Sequence, residues 1–213
     1  MAMRPWEQLH QTLSKNFRQN LRTASNRAKS IENLRFESAD SMPRLRVALG
    51  MFLEIEASGW KASAGTAIKQ DPGLARFYEE LVQRLSPRGG CEIHLLREGE
   101  KAIAGLLLFI VDRTVYMPKV AYDEKYARLS PVQLLLENLF KECEKRPDLE
   151  EFNLVSAAGW FDVWKPRRAG VYDICVFNTT MVGLLGGAAL RSAASMGILP
   201  RVVRFGQEFL RRR

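Results

Sequence analysis

The sequence predicts an α+β fold built on a mixed sheet. Three observations carry that expectation. Amphipathic helical patterns fill the first third of the chain, three strand-like runs with only short turns between them follow, and a strand–helix–strand crossover comes next. Antiparallel neighbours need only short turns, whereas a crossover through a helix brings two strands in parallel.

The opening stretch "PWEQLHQTLSKNFRQNLRTASNRAKS" places Leu9, Leu13, Phe17 and Leu21 four residues apart, one apolar stripe of a single helix, with Lys15, Arg18 and Arg22 away from it. "LRFESADSMPRL" breaks the pattern, with Phe36 in a short strand. "SMPRLRVALGMFLEIEASG" predicts a second helix: Ser41 can cap it, Pro43 suits its first turn and Gly59 follows its end. "WKASAGTAIKQD" has no period and reads as a loop. Asp71 and Pro72 then open a helix through Phe77, Leu81, Val82 and Leu85 that ends at "SPRGG".

The strand runs are "CEIHLLRE" (91–98), "AIAGLLLFIVD" (102–112) and "TVYMPKVAY" (114–122). The second is apolar almost throughout, as a central strand covered on both faces should be. In the third, Pro118 cannot donate to a ladder, so a bulge or splay is expected there. A helix from Ser130 to about Lys145, a strand in "DLEEFNLVS", an aromatic and basic loop or short helix "GWFDVWKPRR" and a final strand "VYDICVFN" complete the sheet. The tail from residue 181 is Gly/Ala-rich and helical, broken by Pro200 and basic at its end. The expected organisation is a basic helical lead-in (1–35), a main domain (36–180) and a helical tail (181–213).

Composition narrows the function classes. Cys91, Cys143 and Cys175 are odd in number and far apart, which supports neither a disulfide framework nor a zinc site, so no metal and a reducing cytoplasmic setting are expected. The longest apolar run, residues 102–111, is about half of what crosses a bilayer. The formal charge of +8 gathers at Lys15, Arg18, Arg22, Arg27 and Lys29 and again at Arg201, Arg204 and Arg211 to Arg213. Such runs read either as solvated helix faces or as attraction for a polyanionic ligand, an acidic membrane surface or nucleic acid. No motif supports specific nucleic-acid binding.

The chemistry concentrates in "AYDEKYARLSPVQLLLENLF" (121–140). Ser130 falls at the N-cap and Pro131 at the first helical position, so the free N–H groups of a helix start face out from the end of a strand and attract an anion. Arg128 adds a fork of donors for phosphate oxygens. A strand interrupted at Pro118 leaves main-chain groups free beside that pole, an arrangement suited to a pyrophosphate with an extended amide-bearing arm.

This arrangement resembles the GNAT acyltransferase superfamily, and within it the CelD-like (Acetyltransf_6) group related to FemAB-type tandem proteins. The likeness rests on "LSKNFRQNLRTASNR" (13–27), "FLEIEASGWKASAGTAI" (52–68) and "GLLLFIVDRTVYMPKVAYDEKYARLSPVQLLL" (105–136). It implies a mixed central sheet with a splayed parallel strand pair. It also implies acyl transfer from acetyl-CoA or another acyl-CoA to an amine or hydroxyl, with a sugar of a polysaccharide or envelope precursor as candidate acceptor. Arg128, Leu129, Ser130, Val132 and Gln133 would line the pyrophosphate site, and Val120 and Ala121 would offer backbone to the pantetheine arm. Val132 stands where such relatives carry glycine, which predicts crowding of the phosphate. Full-length relatives add a second GNAT-like half, so the resemblance implies either a naturally short member or one half of a two-part enzyme, with a partner half-domain, a homodimer and membrane contact through the basic ends as options.

Of two carboxylates about 200° apart on one helix, Glu54 is the candidate base and Glu56 is expected in solvent. Asp123 is a candidate either for capping the following turn or for catalysis. Trp60, Lys61, Lys119 and Trp164 are candidates for acceptor binding; packing or solvation is the alternative role of each. The rival reading is a non-catalytic GNAT-fold domain that docks to a protein partner or anionic membrane.

Overall fold

The three strand-like runs form the centre of the sheet, because each places large apolar side chains on both faces. In the computed structural model, which describes residues 1–59, 65, 67–156, 158–170, 177–178 and 180–195, five strands follow the order β1-β2-β3-β4-β5. They are β1 (Leu34–Ala39), β2 (Cys91–Glu98), β3 (Lys101–Val111), β4 (Thr114–Tyr122) and β5 (Glu151–Asn153). The first three pairings are antiparallel and β4–β5 is parallel, the mixed sheet expected from the sequence. Residues 1–168 form one unit and 169–213 a second. Within the second, helix α6 spans Met181–Ser195. The strand expected over 171–178 lies largely outside the described residues.

Helices cover both sheet faces. On one lie α1 (Trp6–Thr12), α2 (Lys15–Lys29) and α5 (Pro131–Cys143), which bury Leu9, Leu13, Phe17, Leu21, Leu135 and Leu139 against Leu106 and Leu108 of β3. On the other lie α3 (Met42–Ser58) and α4 (Pro72–Leu85), with Leu45, Leu49, Phe52 and Val82 against Ile93, Leu95 and Leu107. Alternate side chains of β3 therefore enter two cores, which explains its unbroken apolar run. Gly105 is required where α3 comes closest: a Cβ there would sit 2.7 Å from Cδ2 of Phe52.

Two elements depart from the sequence-based expectation. The opening helix is two helices, because Leu13 is extended and the Ser14 side chain accepts from the Phe17 N–H, capping a new start. The apolar stripe survives the break, with Leu9, Leu13, Phe17 and Leu21 all buried. Strand β5 is much shorter than "DLEEFNLVS": the Asn153 side chain accepts from the Val155 N–H at 2.8 Å and Val155 takes a φ of 60°, so the chain turns out of the ladder. Asp71 caps α4 through the Gly73 and Leu74 N–H groups, as its Asp-Pro start predicts. Ser41 sits at the N-cap of α3 without making a side-chain cap bond.

Candidate active site

Strand β4 sets the geometry. Tyr116 pairs with Phe109 and Lys119 with Leu107, so Met117 and Pro118 oppose Leu108 alone, a bulge. Its pairing with β5 stops at Tyr116 and Asn153. Beyond that point the outer edge of β4 has no strand partner among the described residues while β5 turns away, and the strands splay. The bulge also shifts the side-chain alternation. Val115 and Met117 face α5 before it and Val120 after it, whereas Ala121 faces α3. The outer edge at Val120 and Ala121, whose β3 partners are Leu106 and Gly105, borders the gap.

The gap opens into a cavity of about 600 Å³ walled by Val120, Tyr122, Ser130, Val132, Gln133 and Trp160. Its far wall is the start of α5. Pro131 lacks an N–H, and Ser130 occupies the left-handed region (φ 50°, ψ 52°). Ser130 is indeed the N-cap residue, but its hydroxyl makes no cap bond. Its N–H donates to Ala127 O at 3.0 Å and the Gln133 N–H donates to Ser130 O at 2.9 Å, so these two groups of the expected cradle are already engaged. The Val132 N–H has no main-chain partner among the described residues. The Val132 side chain is 8% exposed and packs in the core, and the residue also forms part of the cavity wall. Leu129 is likewise buried, which leaves only its main chain for a ligand. Arg128 is exposed, and its carbonyl is held by the Arg27 guanidinium at 2.8 Å.

Across β4 lies a smaller cavity of about 60 Å³, bordered by Ile55, Glu56, Gly59 and Ala121. Val120 and Tyr122 line both cavities, so the end of β4 is their common wall. Here the α3 carboxylates lie the other way round from the exposure expected of them. Glu56 is 2% exposed and accepts from the Ile68 N–H at 2.8 Å, while Glu54 faces solvent and pairs with Lys69. The two do lie on opposite sides of α3, but the buried stripe Leu45, Leu49, Phe52 continues to residue 56. That i, i+4, i+7, i+11 spacing was the signal that could have selected Glu56. Beside it Tyr78 is buried, and its hydroxyl pKa is raised by burial first and by the Glu56 charge second. The Lys119 ammonium stands 5.6 Å from the Tyr78 ring centroid.

Two further candidates have structural partners. Asp123 accepts from the Lys125 N–H at 3.0 Å and from Lys101 Nζ at 2.6 Å, so it caps the turn over residues 124–129 and borders neither cavity. The Lys101 hydrogen bond holds its carboxyl below the usual aspartate range. Trp164 is 1% exposed and cannot offer a face to an acceptor. It packs against Phe17 and Phe140 and donates from Nε1 to Gln133 Oε1 at 2.7 Å, tying residues 159–164 to α5. Trp160 is the tryptophan of that segment that lines the cavity. Trp60 and Lys61 lie outside the described residues. Among the described residues, no group of His, Cys, Asp and Glu is arranged to hold a metal.

The family described as "Acetyltransferase (GNAT) domain" (Acetyltransf_6) matches residues 15–165. The chain belongs to this GNAT family. The GNAT domain is also similar to solved structures. A "possible acetyltransferase" from Clostridium difficile 630 shares 14% identity over 69% of this chain and 100% of its own, with a TM-score of 0.53. The aminoglycoside acetyltransferase meta-AAC0020 from an uncultured soil metagenomic sample shares 15% over 70% and 100%, with a TM-score of 0.50. At these identities the likeness is one of fold. No curated protein sequence matches the chain. GNAT acetyltransferases take acetyl-CoA as co-substrate, and no helix among the described residues is long and apolar enough to cross a membrane.

Proposed function

We propose that this GNAT domain transfers an acyl group, acetyl in the first instance, from acyl-CoA to an amine or hydroxyl acceptor by direct attack. The observation that carries the reading is the gap between β4 and β5, which opens at the Pro118 bulge toward the N-terminus of α5. The pyrophosphate sits against that pole, held by the Val132 N–H, the helix dipole and Arg128. The pantetheine amides extend the sheet along the outer edge of Val120 and Ala121, and main-chain N–H at the same edge stabilises the oxyanion as the thioester carbonyl is attacked.

The acceptor approaches from the Glu56 side of β4. Glu56, directly or through water, takes the proton from the attacking nitrogen or oxygen. The new C–N or C–O bond forms as the C–S bond breaks, and the thiolate leaves with a proton as free coenzyme A. Lys119 and Tyr78 flank this approach. Kinship with the CelD-like and FemAB-type groups, and an acceptor of the polysaccharide or envelope-precursor class, belong to the same proposal. They are supported by the stretches at 13–27, 52–68 and 105–136.

The test pairs calorimetry with acetyl-CoA and a thiol-release assay over a panel of amino sugars and aminoglycosides. Glu56→Gln, which preserves an oxygen for the Ile68 N–H, should lower kcat by about 10²-fold or more and leave acetyl-CoA affinity unchanged. Glu54→Gln should stay within about twofold. Failure of the native chain to bind acetyl-CoA refutes the reading, and full activity in Glu56→Gln removes the assigned base.

A further inference from the structure

Helix α2 carries Lys15, Arg18, Arg22 and Lys29 on one arc about 60° wide and about 21 Å long, centred about 120° round from its buried face of Phe17, Leu21 and Ala24. The arc lines a groove of about 620 Å³ flanked by His10 of α1 and Glu137 of α5. Helix α2 contains no acidic residue, and none of the four cations has an ion-pair partner among the described residues. Glu137 is already bonded to Lys141 at 2.6 Å. The groove is therefore a row of uncompensated positive charge.

Its position ties it to the donor. Helix α2 lies on the α5 face of the sheet, and Arg27 from the same helix braces the Arg128 carbonyl. Leu21 borders both the basic groove and a cavity of about 310 Å³, and that cavity shares Ser130, Gln133 and Trp160 with the β4–β5 gap. The acceptor cavity by Glu56 opens on the opposite side of β4. Beyond its pyrophosphate, coenzyme A offers one further phosphate, enough for one or two cations but not for four spread over about 21 Å. Among the described residues, α2 has no exposed aromatic or large aliphatic side chain, and the aromatic rings of α1, Trp6 and His10, are half-buried and packed on each other, so little is offered to stack on a base or enter a lipid surface. An extended acidic protein surface fits.

Resting on the acyl-transfer reading, we propose that α2 docks an acidic carrier protein that presents the acyl group on a phosphopantetheine arm. The arm is the chemistry coenzyme A shares. The carrier's acidic face lies along Lys15 to Lys29 while its arm enters the gap. The transfer step is unchanged: the acceptor takes the acyl carbon, the C–S bond breaks, and the protonated thiol remains on the carrier.

The experiment titrates the full chain with acetylated acyl carrier protein and, separately, with acetyl-CoA, for the native protein and the triple variant Lys15→Glu, Arg18→Glu, Arg22→Glu. The inference expects the native chain to bind the carrier more tightly at low salt. It expects the variant to lose about tenfold or more of that affinity and most of its salt dependence, with acetyl-CoA affinity held within about twofold. An unchanged melting temperature and acetyl-CoA affinity certify the variant's fold; should it melt early, Arg22→Gln alone must weaken the carrier by about two- to threefold. Binding of acetyl-CoA without the carrier overturns this inference alone, as does an equal loss of both ligands or a preference for phosphatidylglycerol vesicles or RNA. Binding of neither ligand removes the acyl-transfer reading beneath it.

Discussion

Ser130→Asp separates ligand binding from folding because its two effects have opposite signs. The Ser130 hydroxyl makes no cap bond, so the substitution forfeits none, and aspartate tolerates the left-handed conformation held there. A carboxylate at the start of α5 meets the positive end of the helix dipole, worth about 0.3–1 kcal/mol, which raises the melting temperature by about 1–4 °C in a chain of this size. A bound pyrophosphate meets the same carboxylate as a like charge. Two unit charges near a protein surface interact by about 4 kcal/mol at 4 Å and by about 2–3 kcal/mol at 6 Å. Even the smaller figure weakens acetyl-CoA by about 30- to 150-fold. Calorimetric titration at low and high salt reads the affinity and a thermal melt reads the fold; screening should narrow the gap between native and variant as salt rises. Affinities equal within about twofold, with the fold intact, would place the phosphates elsewhere and refute the assignment of this pole.

Gly105→Ala should destabilise the domain by about 1–3 kcal/mol in denaturant unfolding, since the new methyl meets Phe52 at 2.7 Å and Leu95 at 3.1 Å inside a closed core; unchanged stability would mean α3 can ride outward freely. Lys101→Met removes the ammonium that holds the Asp123 carboxyl below its ordinary value of 3.8. A depressed folded pKa gives stability that is present above the unfolded value and lost as pH falls through the folded one. The variant's deficit should therefore be full near neutrality and fade as the solution is acidified below about pH 3.8. A deficit that grows on acidification contradicts this linkage.

The elements were legible wherever period and punctuation agreed. Strands β2, β3 and β4 follow from strand-like runs separated by short turns, β3 from its nearly unbroken apolar stretch, and α5 from Ser130-Pro131. The irregularity in β4 follows from a proline that cannot donate. The break at Ser14 was harder to read, because the stripe Leu9 to Leu21 continues across it and a serine cap competes with helix continuation by about 1 kcal/mol. Strand β5 ended early because the Asn153 side chain captured a local N–H, and an asparagine within an apolar run does not announce which partner it will take.

The sequence by itself determined the order of elements, the bulge at Pro118, the helix pole beside it and the cationic face of α2, since each depends on residues close together in the chain. Only the tertiary structure decided which carboxylate of α3 turns inward and which tryptophan of residues 159–164 is buried. Helical geometry fixes the angle between Glu54 and Glu56 but not which of them points at the sheet. That choice belongs to the packing of Leu45, Leu49 and Phe52 against β2 and β3, and it carries Glu56 inward with them. Trp164 is buried for a similar reason: Phe17, Phe140 and Gln133 converge on it from α2 and α5, elements remote in sequence that the fold brings together.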